Sequence, residues 1–145
     1  MKAYADTGFI CSLYAPDAHT ERAVRQMERG KDGVFLSWLN QVEFRNALRL
    51  RVFRKEITPA QRDASLNHFL ADVNAGVWQA VEPAHEAVLT ETERLSALYS
   101  EKIGARTLDI LHVAMSIVLG SNRFLSFDKR QLKLAKAAGV AAPGL

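Results

Sequence analysis

The sequence predicts an α/β fold: a short, mainly parallel sheet with helices on both faces. Three observations predict it. Short apolar stretches of four or five residues alternate along the chain with segments of helical periodicity. Such short strands alternating with helices point to a parallel sheet covered on both faces. No internal repeat, low-complexity tract or long linker interrupts the alternation, so residues 1–145 are expected to form a single domain.

Lys2 to Ala5 reads as the opening strand, and Thr7 to Tyr14 as a helix that begins directly after Asp6 and stops at Ala15-Pro16-Asp17. His19 to Arg29 carries Ala23, Val24 and Met27 at helical spacing, with Gly30 as its stop. Gly33 to Ser37 is the second strand. It feeds a helix from about Asn40 to Arg51, with Val42, Ala47, Leu48 and Leu50 available to pack. Thr58-Pro59 is a cap followed by proline in the first turn, and this helix runs to Asn74 before Gly76. Val77 to Val81 is the third strand, and Pro83 opens a helix that reaches about Lys102.

After Gly104-Ala105-Arg106, the segment Thr107 to Leu119 is apolar over more than one face, which predicts a central helix. Arg123 to Phe127 is the fourth strand, Asp128 leads a helix to Ala138, and Val140 to Ala142 is expected to add a short edge strand. Right-handed crossovers place ligand sites beyond the carboxyl ends of parallel strands. Asp6 and Asp128 stand at that end of the first and fourth strands.

Composition narrows the function classes. The chain has 145 residues, 48% of them hydrophobic, enough to bury a core without disulfide or metal staples. Its single cysteine, Cys11, lies among apolar residues and reads as a small buried hydrophobe. The histidines His19, His68, His85 and His112 show no zinc spacing. A phosphate-binding GxxxxGK loop, a dinucleotide fingerprint and a GxSxG elbow are all absent from the sequence. Neither a signal peptide nor an apolar run near membrane-spanning length is seen, and a soluble cytoplasmic protein with no membrane partner is expected. The formal net charge of +3 suits a polyanionic partner, although it also lies in the ordinary range for solubility.

Four carboxylates at element ends, Asp6, Glu43, Asp109 and Asp128, are the candidate chemistry. Hard oxygen ligands suit a divalent cation that assists phosphodiester cleavage. Each acid also has a plainer explanation. Asp6 and Asp128 can cap helices, Asp109 can complement a helix dipole, and Glu43 can pair with an arginine such as Arg45 or Arg49. Thr7 and Ser126 sit beside two of these acids, where a hydroxyl can orient a carboxylate or serve a turn. His112 lies one turn beyond Asp109 and reads as a packing or hydrogen-bonding residue.

Taken in order, four strings resemble the motifs of the PIN-domain nucleases, and most closely those of the VapC toxins of toxin-antitoxin pairs. Tyr4-Ala5-Asp6-Thr7 resembles the first motif and Val42-Glu43-Phe44-Arg45-Asn46-Ala47-Leu48 the second. Arg106-Thr107-Leu108-Asp109-Ile110-Leu111-His112-Val113-Ala114 resembles the third, and Phe124-Leu125-Ser126-Phe127-Asp128-Lys129-Arg130-Gln131 the fourth. The likeness runs nearly the full length, none of the four acids is replaced, and Gly8 stands where relatives often carry a small polar residue.

The resemblance implies a PIN-like three-layer α/β/α sandwich and an endoribonuclease using Mg2+, with Mn2+ as a substitute. It implies catalytic roles for Asp6, Glu43, Asp109 and Asp128, with Asp6 and Asp109 as first choices for direct metal contact and Glu43 and Asp128 as direct or water-mediated ligands. A metal-activated water would attack phosphorus, leaving a 5'-phosphate and a 3'-hydroxyl, with tRNA or rRNA among the targets. It also implies a homodimer and a small VapB-like antitoxin whose peptide covers the active groove, the helices His19 to Arg29 and Thr58 to Asn74 being candidate contacts.

For grip on RNA the candidate cations are Arg45 and Arg49, which share a helical face, with Arg106, Lys129 and Arg130. Trp38 is placed either to stack a base or to pack in the core. The rival expectations are a housekeeping RNA-maturation nuclease, a DNA nuclease, and a non-catalytic RNA- or protein-binding domain of the same fold.

Overall fold

The structure is a computed structural model that describes residues 2–30 and 32–144. Four parallel strands form its sheet: β1 (Ala3–Ala5), β2 (Val34–Leu36), β3 (Trp78–Ala80) and β4 (Arg123–Leu125), in the order β3-β2-β1-β4. The helices are α1 (Thr7–Tyr14), α2 (Thr20–Arg29), α3 (Trp38–Phe53), α4 (Pro59–Asn74), α5 (His85–Ile103), α6 (Thr107–Val118) and α7 (Lys129–Ala137). The α/β class and the parallel, doubly covered sheet expected from the sequence are therefore what the chain forms.

Side-chain alternation along each strand builds the layers. Ala3 and Ala5 of β1, Val34 and Leu36 of β2 and Leu125 of β4 face a core shared with Phe9 and Ile10 of α1, Phe44 and Leu48 of α3, Phe69 of α4 and Trp78 of β3. Tyr4 and Phe124 point the other way, into a second core with Val88 and Leu95 of α5, Ile110, Val113 and Ala114 of α6 and Leu132 and Leu134 of α7. The first core is aromatic. Phe44 and Phe69 lie 4.6 Å apart between ring centroids. The Tyr14 hydroxyl donates to Asp72 at 2.6 Å and accepts from Trp78 Nε1 at 2.6 Å, so its burial leaves no polar group unpaired.

The strands are three residues long, shorter than expected, and at β2 a helix cap claims the end. Ser37 leaves β2 to cap α3, where its hydroxyl accepts from Asn40 N while the Asn40 side chain accepts from Ser37 N. This capping box starts α3 at Trp38, two residues before the predicted Asn40. Thr58 and Gln61 form the equivalent box at α4, with Pro59 in the first turn as predicted.

Within α3 the buried face runs through Leu39, Phe44 and Leu48, so Val42 and Leu50, expected to pack, point outward instead. α6 is buried over most of its length, as its all-round apolarity predicts. The predicted edge strand at Val140 to Ala142 does not form. Gly139, at φ +91°, turns the chain back after α7, and pairing stops at a single bridge, Arg123 with Ala141, where Phe124 N donates to Ala141 O at 2.8 Å. No helix among the described residues is long and apolar enough to cross a membrane.

Candidate active site

Strand order locates the site. The chain steps outward from β1 to β2 to β3, then returns to place β4 on the other side of β1. The connections therefore diverge above the β1–β4 pair and leave a crevice at the carboxyl ends of those strands. Asp6 and Ser126 face each other across it, and Asp6 N donates to Leu125 O at 3.0 Å.

Asp6 caps α1, one carboxylate oxygen accepting from Phe9 N at 2.8 Å. The other oxygen accepts from the Ser126 hydroxyl at 2.5 Å. The side chain is buried, and burial pushes its carboxyl up to about 6, against the opposing pull of the Ser126 and Phe9 hydrogen bonds and the nearby His112. Asp6 is thus a cap, as its plainer explanation held, and also a desolvated carboxyl whose burial outweighs its favourable contacts.

Asp109 stands in the first turn of α6, where its charge complements the helix dipole as its plainer explanation held, and it is also buried. Its Oδ1 accepts from Gln131 Nε2 at 2.9 Å and its Oδ2 from Arg106 Nε at 3.4 Å. Asp128 caps α7, with Oδ1 accepting from Arg130 N at 2.8 Å and Gln131 N at 3.2 Å. Its backbone N donates to Ser126 Oγ at 3.0 Å, so the Ser126 hydroxyl ties the Asp128 turn to Asp6. Gln131 binds both neighbours, Asp128 through its backbone and Asp109 through its amide, and the amide's Oε1 is buried with no hydrogen-bond partner. Sequence reasoning passed over Gln131 in this role. Its signal, a position one turn beyond a capping acid, is shared by many ordinary helix residues.

Asp6, Asp109 and Asp128 line one cavity of about 520 Å³ together with Gln131, Arg106 and Arg51. Glu43 does not line it. Its Oε1 accepts from the Thr7 hydroxyl at 2.8 Å and from His112 Nε2 at 2.5 Å. His112 is buried, and its Nδ1 lies 2.7 Å from the Tyr4 hydroxyl, which in turn lies 3.0 Å from Ser37 Oγ. A proton on Nε2 satisfies the whole chain: Nε2 donates to Glu43, the Tyr4 hydroxyl donates to Nδ1, and the Ser37 hydroxyl donates to Tyr4. Burial alone would raise the Glu43 carboxyl, but the His112 and Thr7 contacts outweigh it and hold the group below its ordinary value. Burial drives the Tyr4 hydroxyl well above its ordinary value. The sequence expectation that His112 is a hydrogen-bonding residue agrees with this geometry, as does a buried Cys11 whose thiol burial pushes up to about 12.

Does this donor set suit a magnesium ion? Among the described residues no three His, Cys, Asp or Glu side chains stand close enough to form a ready-made ligand group. Magnesium does not need one, because it keeps several waters and is bound through one or two carboxylates. Four carboxylates line the cavity, and of these Asp6, Asp109 and Asp128 fit such a hydrated ion, while Asp17 pairs with Arg51 at 3.5 Å.

The candidate RNA-binding cations fall into two groups. Arg106, Lys129 and Arg130 line a cavity of about 570 Å³ that shares Arg106 and Asp128 with the acid cavity. Arg45 and Arg49 line a separate depression with Arg62 and Asp63. Trp38 is 48% exposed, which excludes the core-packing option for it.

Comparison with known proteins follows from this geometry. The PIN domain family model matches residues 3–137. No curated protein sequence matches the chain. Among solved structures, the Mycobacterium tuberculosis VapC20, described as a sarcin-ricin loop cleaving toxin, superposes with a TM-score of 0.68 at 20% identity, covering 97% of each chain. The Rickettsia felis VapBC2 structure, bound to a DNA fragment from its promoter, gives a TM-score of 0.66 at 12% identity, covering 98% of this chain and 97% of that one. FitAcB from Neisseria gonorrhoeae gives 0.65 at 17% identity, with coverage of 97% and 95%. At these identities the structures show a shared fold.

Proposed function

The chain belongs to the PIN domain family, and on that footing we propose that it is a magnesium-dependent endoribonuclease of the VapC toxin type, acting on tRNA, rRNA or another cellular RNA. The observation that carries this reading is the single cavity at the carboxyl edge of β1 and β4 lined by Asp6, Asp109 and Asp128. The fold likeness to a toxin described as cleaving the sarcin-ricin loop supports RNA as substrate. Likeness to VapBC2 and FitAcB supports a small VapB-like antitoxin as partner, and a homodimer is part of the same proposal.

Asp6 and Asp109 would hold Mg2+, or Mn2+ in its place, with Asp128 and Glu43 completing the set directly or through water. When bound, the ion would supply Lewis acidity to the phosphodiester and lower the pKa of a water. The chain's own contribution is orientation. The Ser126 hydroxyl fixes one Asp6 oxygen, the Gln131 amide fixes one Asp109 oxygen, and Asp128 is held by its Oδ1 to the α7 backbone. Thr7 and His112 hold Glu43 ionised beside this group, where it can accept a proton from a water. With its carboxyl at about 6, Asp6 is mostly ionised at neutral pH and requires a cation to offset its burial.

The test is direct. Purified protein freed of any antitoxin should cut RNA with Mg2+, and Asp6→Asn and Asp109→Asn should each remove that activity. Sequencing of RNA ends soon after induction in cells, with the Asp6→Asn chain as control, identifies the target. Cleavage by both variants at the level of the original chain rules the site out. RNA binding without metal binding would instead assign the fold a non-catalytic role.

A further inference from the structure

We propose that the cationic cavity between the end of α5 and the start of α7 seats a backbone phosphate of the RNA strand, next to the phosphate held at the acid cavity. This rests on the nuclease reading above and adds to it a substrate subsite, in which Lys133 joins the helix cations Lys129 and Arg130 and Lys102 is a new member. Five cations, Lys102, Arg106, Lys129, Arg130 and Lys133, face one carboxylate, Asp128, around about 570 Å³ of space. One oxygen of that carboxylate is already engaged by the α7 backbone.

Among the described residues Lys102, Lys129, Arg130 and Lys133 form no ion pair, so the cavity gathers like charges that repel one another until an anion enters. The backbone enforces the gathering. Gly104, at φ +72°, ends α5 in the left-handed conformation and folds the chain so that Lys102 and Arg106 flank the turn. Arg130 Nη1 donates to Gly104 O at 3.4 Å, bringing the start of α7 against the same turn. Lys129 and Lys133 are one turn apart on α7 and share a face.

The lining also selects the kind of anion. No aromatic side chain lines this cavity and Ile103 is its one apolar wall, so it offers charge and no platform for a base. Such a site positions a strand without reading sequence. Its place does the rest: Arg106 and Asp128 line both cavities, and Arg106 reaches Asp109 with its Nε, so an anion here lies one wall away from the proposed reacting phosphate. A polymer of evenly spaced phosphates fits two adjoining sites, one reached through a cation and one through lysine and arginine. An isolated acidic peptide explains the basic cavity and leaves the shared wall unexplained.

The experiment measures binding of a labelled single-stranded RNA to the full chain by fluorescence anisotropy across a KCl series. EDTA is present throughout, so that no cleavage intervenes. Lys102→Gln/Lys133→Gln should weaken binding and lower the slope of log affinity against log salt by about 0.7, the value for one phosphate contact on a single strand. Lys102→Arg/Lys133→Arg should restore both, which separates lost charge from lost folding, and Lys136→Gln, outside the cavity on α7, should change neither. An unchanged slope and affinity in the glutamine pair overturns the proposal. So does displacement of RNA by inorganic phosphate far below the ionic strength at which chloride acts, since that marks a free-phosphate site. A slope change that persists while Asp6→Asn and Asp109→Asn still cleave RNA keeps the phosphate seat and removes the nuclease site; loss of cleavage in those variants with an unmoved slope does the reverse.

Discussion

Asp6 and Glu43 flank the same helix start, one ahead of Thr7 and one hydrogen-bonded to it, yet their surroundings push in opposite directions. Asp6 is desolvated, and its burial outweighs the Ser126 and Phe9 hydrogen bonds and the nearby His112, raising its carboxyl to about 6. Glu43 is half-buried against His112 and Thr7, which hold it below its ordinary value. One carboxylate is left wanting a cation, and the other is compensated by the protein itself. The contrast teaches how a small domain can divide a pair of acids: burial dominates at Asp6 in the cavity, and the neighbouring network holds Glu43 ionised.

The strongest way to break this comparison is to remove one acid from each region. Asp109→Asn takes a proposed direct ligand from the cavity and should reduce RNA cleavage by more than the roughly 10- to 100-fold that follows loss of an outer-shell partner. Glu43→Gln keeps the shape and removes the charge that His112 supports. Steady-state cleavage of the same RNA at saturating Mg2+ measures both. If the glutamine variant at Glu43 is silent while the asparagine variant at Asp109 is fully active, the division of roles is inverted.

His112 sharpens the other side. His112→Ala strips partners from both Tyr4 and Glu43 inside a packed core, and an unpaired buried polar group costs about 1 to 3 kcal/mol before the cavity is counted. Chemical denaturation should show that loss. Cleavage should fall about 10- to 100-fold at a temperature where the variant remains folded. Tyr4→Phe, which keeps the ring in its stack with Phe124 and removes one hydroxyl, should show a smaller loss of the same kind. Undiminished stability in His112→Ala would mean the buried chain of hydrogen bonds contributes nothing to the fold.

The pH dependence of stability separates the two acids by sign. Between the ordinary aspartate value of about 3.9 and about 6, the folded chain holds on Asp6 a proton that the unfolded chain has released, so this group's contribution falls as pH rises through that window and stays lowered above it. Asp6→Asn should therefore stabilise the metal-free protein at neutral pH by about 1 to 3 kcal/mol and flatten its melting temperature between about pH 4 and 6. Added Mg2+ should raise the melting temperature of the original chain more than that of the variant. Glu43 works the other way: its contribution is present above the ordinary glutamate value and is lost as pH falls through its lowered folded value. Superimposable melting profiles for Asp6→Asn and the original chain would show that Asp6 carries no burial penalty.

Much of this arrangement was legible in the residues. Strands alternating with helices give the doubly covered parallel sheet, and the carboxyl ends of such strands mark where Asp6 and Asp128 should stand. The capping explanations for those two acids were also correct in geometry, since a cap can engage one carboxylate oxygen and leave the other for Ser126 or the cavity. What could not be read is the set of contacts between elements distant in sequence. Gln131 meets Asp109 only because α7 packs against α6, and His112 meets Glu43 only because the fold brings a residue of α6 beside the first turns of α3. Outward-facing Val42 and Leu50 escaped for a related reason, because Ser37 and Asn40 set the start of α3 and the packing of Phe44 and Leu48 then chose its buried face.

Gln131 supplies the smallest and most discriminating effect. Its amide nitrogen donates to Asp109 while its oxygen is buried without a partner, so half of the side chain is in use. Gln131→Leu removes the donor and the orphan together at similar volume. Losing the hydrogen bond to a charged group costs about 1.5 to 3 kcal/mol, and removing an unsatisfied polar atom returns about 1 to 3 kcal/mol, so stability should change little. Metal affinity should not behave the same way. Without the amide, Asp109 loses the contact that orients Oδ1, and Mn2+ binding followed by electron paramagnetic resonance should weaken by about tenfold. Gln131→Glu tests the same position by charge: a further carboxylate on the cavity repels Asp109 in the metal-free chain and lowers its stability, and Mn2+ should recover more stability there than in the leucine variant. Equal Mn2+ affinity across the original, leucine and glutamate chains would place the ion's ligands elsewhere and leave Gln131 as a packing residue between α6 and α7.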